Sequence, residues 1–223
     1  MKVFLDSNII QHSATTYRTM DIHFGGAKSG EPLIREGPIQ TIHKKPAKDK
    51  KLKEEINCLK ELASKLKDLG ASLIMDFDNI YSEVRRAGRY REEYFYGSDI
   101  QYAERPPEFN TLLAGPSWLN TGPTDKPFHN FLHRLMHPRF LELAKFSGAL
   151  QGKKDNYNQL ADAYFLWCAE INDADYFLTL DSKLERSINQ AKSLVYRPKV
   201  LSATKLLSEL KEKMGQVTCT IKL

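Results

Sequence analysis

The sequence predicts a three-layer α/β/α fold built on a central, mostly parallel sheet of about five strands. Three observations predict it. Short apolar runs, at residues 3–5 and 176–180, have the length and composition of buried central strands. Stretches of helical period alternate with such runs. The last third of the chain repeats strand and helix in the order that covers a sheet on both faces.

Val3 to Leu5 ends at Asp6, and Ser7 or Asn8 is placed to cap a helix starting near Ile9. Residues 12–47 carry little periodicity and several glycines and prolines, so a long surface loop with short local elements is expected there. Over residues 48–69, Leu52, Ile56, Leu59, Ala63 and Leu66 share one helix face, and Gly70 stops the helix. A second strand is expected over 72–75, then Asp76, Asp78 and a helix over 79–86. Residues 90–128 break the pattern and read as an insertion lying over the sheet. Helical period resumes over 128–146, with Pro138 marking a kink or a new start. There follow a helix over 157–171, a strand over 176–180 ending at Asp181 and a short helix over 181–189. A strand over 194–200, a helix over 202–214 capped by Ser202 and an alternating edge strand over 217–221 complete the chain. The whole reads as one domain, 1–223, with insertions at about 12–47 and 90–156.

The bulk composition sets limits. Of 223 residues, 41% are hydrophobic and 27% charged, a globular balance rather than a disordered one. A net charge of +5 is a mild bias toward polyanions. Cys58, Cys168 and Cys219 form no CxxC pair, which argues against a disulfide framework or a thiolate zinc site. No run approaches the roughly 20 apolar residues of a membrane span, and the opening apolar run is too short for a signal peptide. A soluble, cytoplasmic protein without membrane attachment is the expectation.

Two strands end alike, one running into Asp6 and the other into Asp181. In an open parallel sheet the carboxyl ends of the strands face the ligand crevice, so both carboxylates would open on one cleft. Thr179 lies two residues before Asp181, on the same face of its strand, where its hydroxyl can orient a carboxylate or a water. Asp162 enters the helix that precedes the strand ending at Asp181. Gathered carboxylates repel, and a divalent cation with oxygen ligands, Mg²⁺ or Mn²⁺, removes that cost. Ser7 and Asn8 could hold a carboxylate or a metal-bound water beside Asp6. The plainer reading is that aspartate after a strand is a turn residue.

These segments resemble the PIN domain family. VFLDSNII resembles its opening strand and first acid, and QLADAYFLWCAEINDADYFLTLDSKL its closing signature, an acid entering a helix and then a strand ending in T-x-D. KVLSATKLLSEL resembles the closing strand and helix. The resemblance implies Asp6, Asp162 and Asp181 as catalytic and metal-binding acids, with Asn8 and Thr179 in support. It puts a further acid on the helix after the second strand, where Glu83 fits best and Asp76, Asp78 and Asp155 are rivals. The implied activity is Mg²⁺- or Mn²⁺-dependent endonucleolytic hydrolysis of RNA, less so of single-stranded DNA, leaving a 5′-phosphate and a 3′-hydroxyl. A homodimer or an antitoxin-like protein partner is also implied. The alternatives are a non-catalytic RNA-binding or scaffold protein of this fold and another Mg²⁺ enzyme such as a phosphatase. Asn8 stands where an aspartyl-nucleophile phosphatase needs its second acid.

Basic residues supply candidate nucleic-acid contacts. Lys44, Lys45 and Lys48 belong to a lysine run that reads as a phosphate-contacting patch or as a solvated face. Arg85, Arg89 and Arg91 interleave with tyrosines, a combination suited to single strands or to an aromatic mini-core. Lys153 and Lys154 precede the Asp162 helix, beside the scissile phosphate or in a charged loop.

Overall fold

A computed structural model describes residues 1–14, 16–22, 34–41, 47–76, 89–91, 94–106, 132–150 and 157–220. Five strands form its central sheet: β1 (Lys2–Leu5), β4 (Ser72–Met75), β6 (Ile100–Tyr102), β7 (Tyr176–Leu178) and β8 (Lys199–Leu201), in the order β6-β4-β1-β7-β8. Every pairing in it is parallel. β1 lies at the centre with Val3, Phe4 and Leu5 fully buried, as a strand covered on both faces must be. Phe4 and Phe177, in register on β1 and β7, stack at 5.7 Å.

Helices cover the sheet on both sides, giving the expected three-layer α/β/α arrangement. One group comprises α1 (Ser7–Ser13), α2 (Lys50–Asp68) and α6 (Ala203–Thr220); the other comprises α3 (Pro138–Ser147), α4 (Tyr157–Ile171) and α5 (Ser182–Asn189). The amphipathic stripe of α2 buries Leu59, Leu62, Ala63 and Leu66, each leucine contributing about 1.5–3 kcal/mol. Asp49 caps its start, accepting from the Leu52 N–H at 2.7 Å. At its end Gly70 takes φ +59°. The Ala71 N–H reaches back to the Leu66 carbonyl and the Gly70 N–H to that of Lys67, a Schellman stop. Glu55, buried on α2, caps α6 from outside, accepting from the Thr204 N–H at 2.9 Å and the Thr204 hydroxyl at 2.6 Å. That contact locks the two helices of this layer together.

Several expectations need correction. Helix α1 begins at Ser7, with Asp6 rather than Ser7 or Asn8 as its cap. Where only short local elements were expected, β2 (Thr16–Ile22) and β3 (Ile34–Thr41) pair antiparallel, and β5 (Arg89–Arg91) joins them as a second, three-stranded sheet. The glycine and proline that argued against regular structure sit at a bulge. Gly37 and Pro38 together stand opposite Thr19, a place where a missing N–H is tolerated.

Residues 100–102, read as part of an overlying insertion, form the edge strand β6 of the main sheet itself. The expected 128–146 helix has its described start at Pro138. His137 is non-helical and caps α3, with proline in the first turn, where its lost N–H is harmless. Strand β7 stops at Leu178, two residues early, because the Asp181 side chain is already capping α5. Pro198 delays β8 to Lys199–Leu201. The edge strand expected over 217–221 is instead the end of α6 as far as Thr220, since extending a helix costs far less than nucleating a new element. The helix expected over 79–86 lies outside the described residues. Among the described residues no helix is long and apolar enough to cross a membrane.

Candidate functional site at the carboxyl edge of the sheet

Strand order places the site. From β1 the sheet grows through β4 to β6 on one side, and through β7 to β8 on the other. The β1–β7 boundary is thus the point where the order reverses, and crevices open at the carboxyl ends of strands at such a point. Asp6 ends β1, and residues 179–181 follow β7.

The Asp6 carboxylate is 2% exposed. Its Oδ1 accepts from the Ser7 N–H at 2.7 Å; its Oδ2 accepts from the Asn8 amide at 2.7 Å and from the Thr179 hydroxyl at 2.6 Å. The Thr179 hydroxyl in turn accepts from Asn8 Nδ2 at 3.1 Å and from the Asp181 N–H at 3.0 Å. Asn8 Oδ1 accepts from the Leu180 N–H at 2.9 Å, tying the two strand ends together. The expected orienting role of Thr179 is therefore met by contact. Asn8 acts as a clamp between β1 and the segment after β7, and the backbone N–H of Ser7 is what touches Asp6. Asp181 is partly exposed and caps α5, its Oδ1 accepting from Lys183 and Leu184 N–H groups at 2.7 and 3.1 Å. The plain reading of strand-end aspartates as caps thus holds for one oxygen of each.

A third strand ends in the same way. β4 runs into Asp76, 1% exposed. The β1–β4 register, Phe4 beside Ile74, carried two residues further sets Asp76 beside Asp6. Ladder bonds from Asp6 N to the Leu178 carbonyl, Thr179 N to that of Leu201 and Ala103 N to that of Met75 continue the same rows. In-register neighbours on parallel strands share a face about 5 Å apart, so Asp76, Asp6 and Thr179 form one transverse row. Asp76 Oδ1 pairs with Arg105 Nη2 at 3.2 Å, and its Oδ2 accepts from the Tyr164 hydroxyl. Burial pushes the Tyr164 hydroxyl and the Cys168 thiol well up from their ordinary ranges, with the Asp76 charge adding to both. Half-buried Cys58 is pushed up to about 11, chiefly by burial, so neither thiol is a nucleophile at neutral pH.

Tyr164 also locates Asp162. Helix α4 is buried almost all round, and the Tyr164 contact brings its first half to the carboxyl edge of β4. Asp162, two residues earlier and half-buried, therefore sits at this same edge. Glu83, Asp155, Lys44, Lys45, Arg85, Lys153 and Lys154 lie outside the described residues. Lys48 is exposed ahead of α2. Arg89 and Arg91 lie on β5, opposite Thr19 and Tyr17 of β2. Sequence reasoning named Asp76 only as a rival acid and missed Arg105 and the Tyr164 contact. The signal for Asp76 was present, a third apolar strand running into aspartate.

Among the described residues no set of three or more His, Cys, Asp or Glu side chains is grouped to hold a metal ion. The donor chemistry at the switch point is oxygen only: two carboxylates meeting at one hydroxyl. That set fits a hard cation of the Mg²⁺ type, which is commonly carried by one or two carboxylates plus water and substrate phosphate rather than by an all-protein cage. No family model matches the chain, and no curated protein or solved structure matches it.

Proposed function

We propose that the chain is a metal-dependent endoribonuclease of PIN-like type, cutting phosphodiester bonds at the carboxyl edge between β1 and β7. One observation carries this reading. A buried carboxylate, Asp6, sits at the sheet's reversal point, held by an N–H, an amide and a hydroxyl. Neutral donors orient its charge without neutralising it. Asp6 and Asp181 would hold Mg²⁺ or Mn²⁺, with Asp162 at the same edge and Glu83 as the fourth acid. Bound there, the cation supplies positive charge to the phosphate and lowers the pKa of a coordinated water. Thr179 and Asn8 keep Asp6 in one orientation, and Asn8 fixes the backbone leading to Asp181.

A second reading, a non-catalytic RNA-binding or scaffold protein, is favoured by the capping bonds of Asp181, which account for one of its oxygens without any metal. Cleavage of a defined single-stranded RNA in Mg²⁺ or Mn²⁺ separates the two. Expected are cleavage abolished by chelator and a fall of roughly 10²–10³-fold in Asp6→Asn, with a similar loss in Asp181→Asn, both variants staying folded. Equal rates in wild type and both variants reject the assignment. RNA binding without metal-dependent cleavage selects the second reading.

A further inference from the structure

Arg105 is the cation nearest the switch-point row for which the proposed chemistry has no use. It follows β6, at the same carboxyl edge as Asp6 and one strand beyond Asp76. Its side chain is 19% exposed, whereas that of Asp76 is wholly buried. Structural arginine–aspartate pairs are commonly bidentate, two N–H groups on two oxygens. Here the Tyr164 hydroxyl holds Asp76 Oδ2, and the pair engages Oδ1 alone. The guanidinium is thus anchored by one corner and remains partly open toward the edge of the crevice.

We propose that Arg105 is a substrate-positioning residue that takes the phosphate of a nucleotide next to the one cut at Asp6. Asp76 and Tyr164 serve as its mount. This rests on reading the edge as a phosphodiester site. It adds a direction: the strand crosses the carboxyl edge from β7 over β1 and β4 toward β6. A guanidinium suits the task because its planar fork matches the oxygens of a phosphate. Fixing it through a buried carboxylate removes much of the ordering cost of a long side chain.

The test is binding of a labelled single-stranded oligoribonucleotide in chelator, where nothing is cut, measured by fluorescence anisotropy over a series of salt concentrations. Arg105→Met alone strands a buried carboxylate, so the main variant is Asp76→Asn/Arg105→Met. It removes one charge of each sign and leaves the net charge unchanged. Expected is about tenfold weaker binding and a salt slope smaller by about one. Arg105→Lys, which keeps the charge and the anchor but not the fork, should lose a few-fold. Inorganic phosphate should compete for the wild type and not for the double variant. Unchanged affinity and salt slope in the double variant, or in Arg105→Lys should the double variant not fold, overturn the proposal. Failure of the nuclease reading is a separate result, since it appears as unchanged cleavage in Asp6→Asn whatever the binding data show.

Discussion

Two neighbouring strands of one sheet each end in a buried aspartate, and the two aspartates are treated in opposite ways. Asp6, after β1, is surrounded by Ser7 N–H, Asn8 and Thr179, neutral donors that fix its direction. Asp76, after β4, receives a guanidinium and a tyrosine hydroxyl. A buried carboxylate given a cationic partner is neutralised and becomes architecture. One given only dipoles keeps its charge and its demand for a cation. The difference separates a candidate ligand from its support within about 5 Å, although both share the same strand-end signature.

Substitutions sharpen this contrast, and the largest effect belongs to the architectural side. Asp76→Asn leaves the Arg105 guanidinium without its buried partner, and breaking such a pair costs about 3–5 kcal/mol. Chemical denaturation should show that loss. It should also show much of it recovered in Asp76→Asn/Arg105→Met, which removes both charges. A loss below about 1 kcal/mol in the single variant would mean that the pair carries no such burden.

On the site side the effect is smaller in stability and larger in chemistry. Thr179→Val removes the hydroxyl that joins Asp6, Asn8 and the Asp181 N–H while keeping the shape of a fully buried side chain. A stability loss of about 1–3 kcal/mol is expected, together with cleavage slowed by more than the fall in folded fraction explains. Tyr164→Phe removes the matching hydroxyl from Asp76 and is read in stability alone. If the two variants affected cleavage equally, the distinction between the two aspartates would fail.

Much of this was legible from local pattern. The limits of α4 matched, because its run of apolar residues is bounded by polar turns on both sides. β1 and the strands before Asp76 and Asp181 were visible as apolar runs ending in an acid. What escaped depends on partners distant in sequence. Arg105 and Tyr164 meet Asp76 across 29 and 88 positions, and no local period marks such a meeting. The β2–β3 ribbon was obscured because Gly37 and Pro38 suggest a loop until the bulge that accommodates them is seen. The end of α6 was misassigned because alternation over five residues cannot compete with a helix already under way. The capping by Asp6 and Asp181 was the bland reading of the sequence. It coexists with the functional one, since each cap uses a single carboxylate oxygen.

The claim at the centre of this account is that Asp6 retains a charge that calls for a hard cation. Titration of Mn²⁺ into the protein, followed by isothermal calorimetry or by the loss of the free-ion electron paramagnetic resonance signal, tests it without reference to any substrate. The account predicts binding by wild-type protein and by Glu209→Gln, an acid remote from the site, and at least about tenfold weaker binding by Asp6→Asn. Mn²⁺ binding that is absent from the wild type, or equally strong in Asp6→Asn, would contradict it.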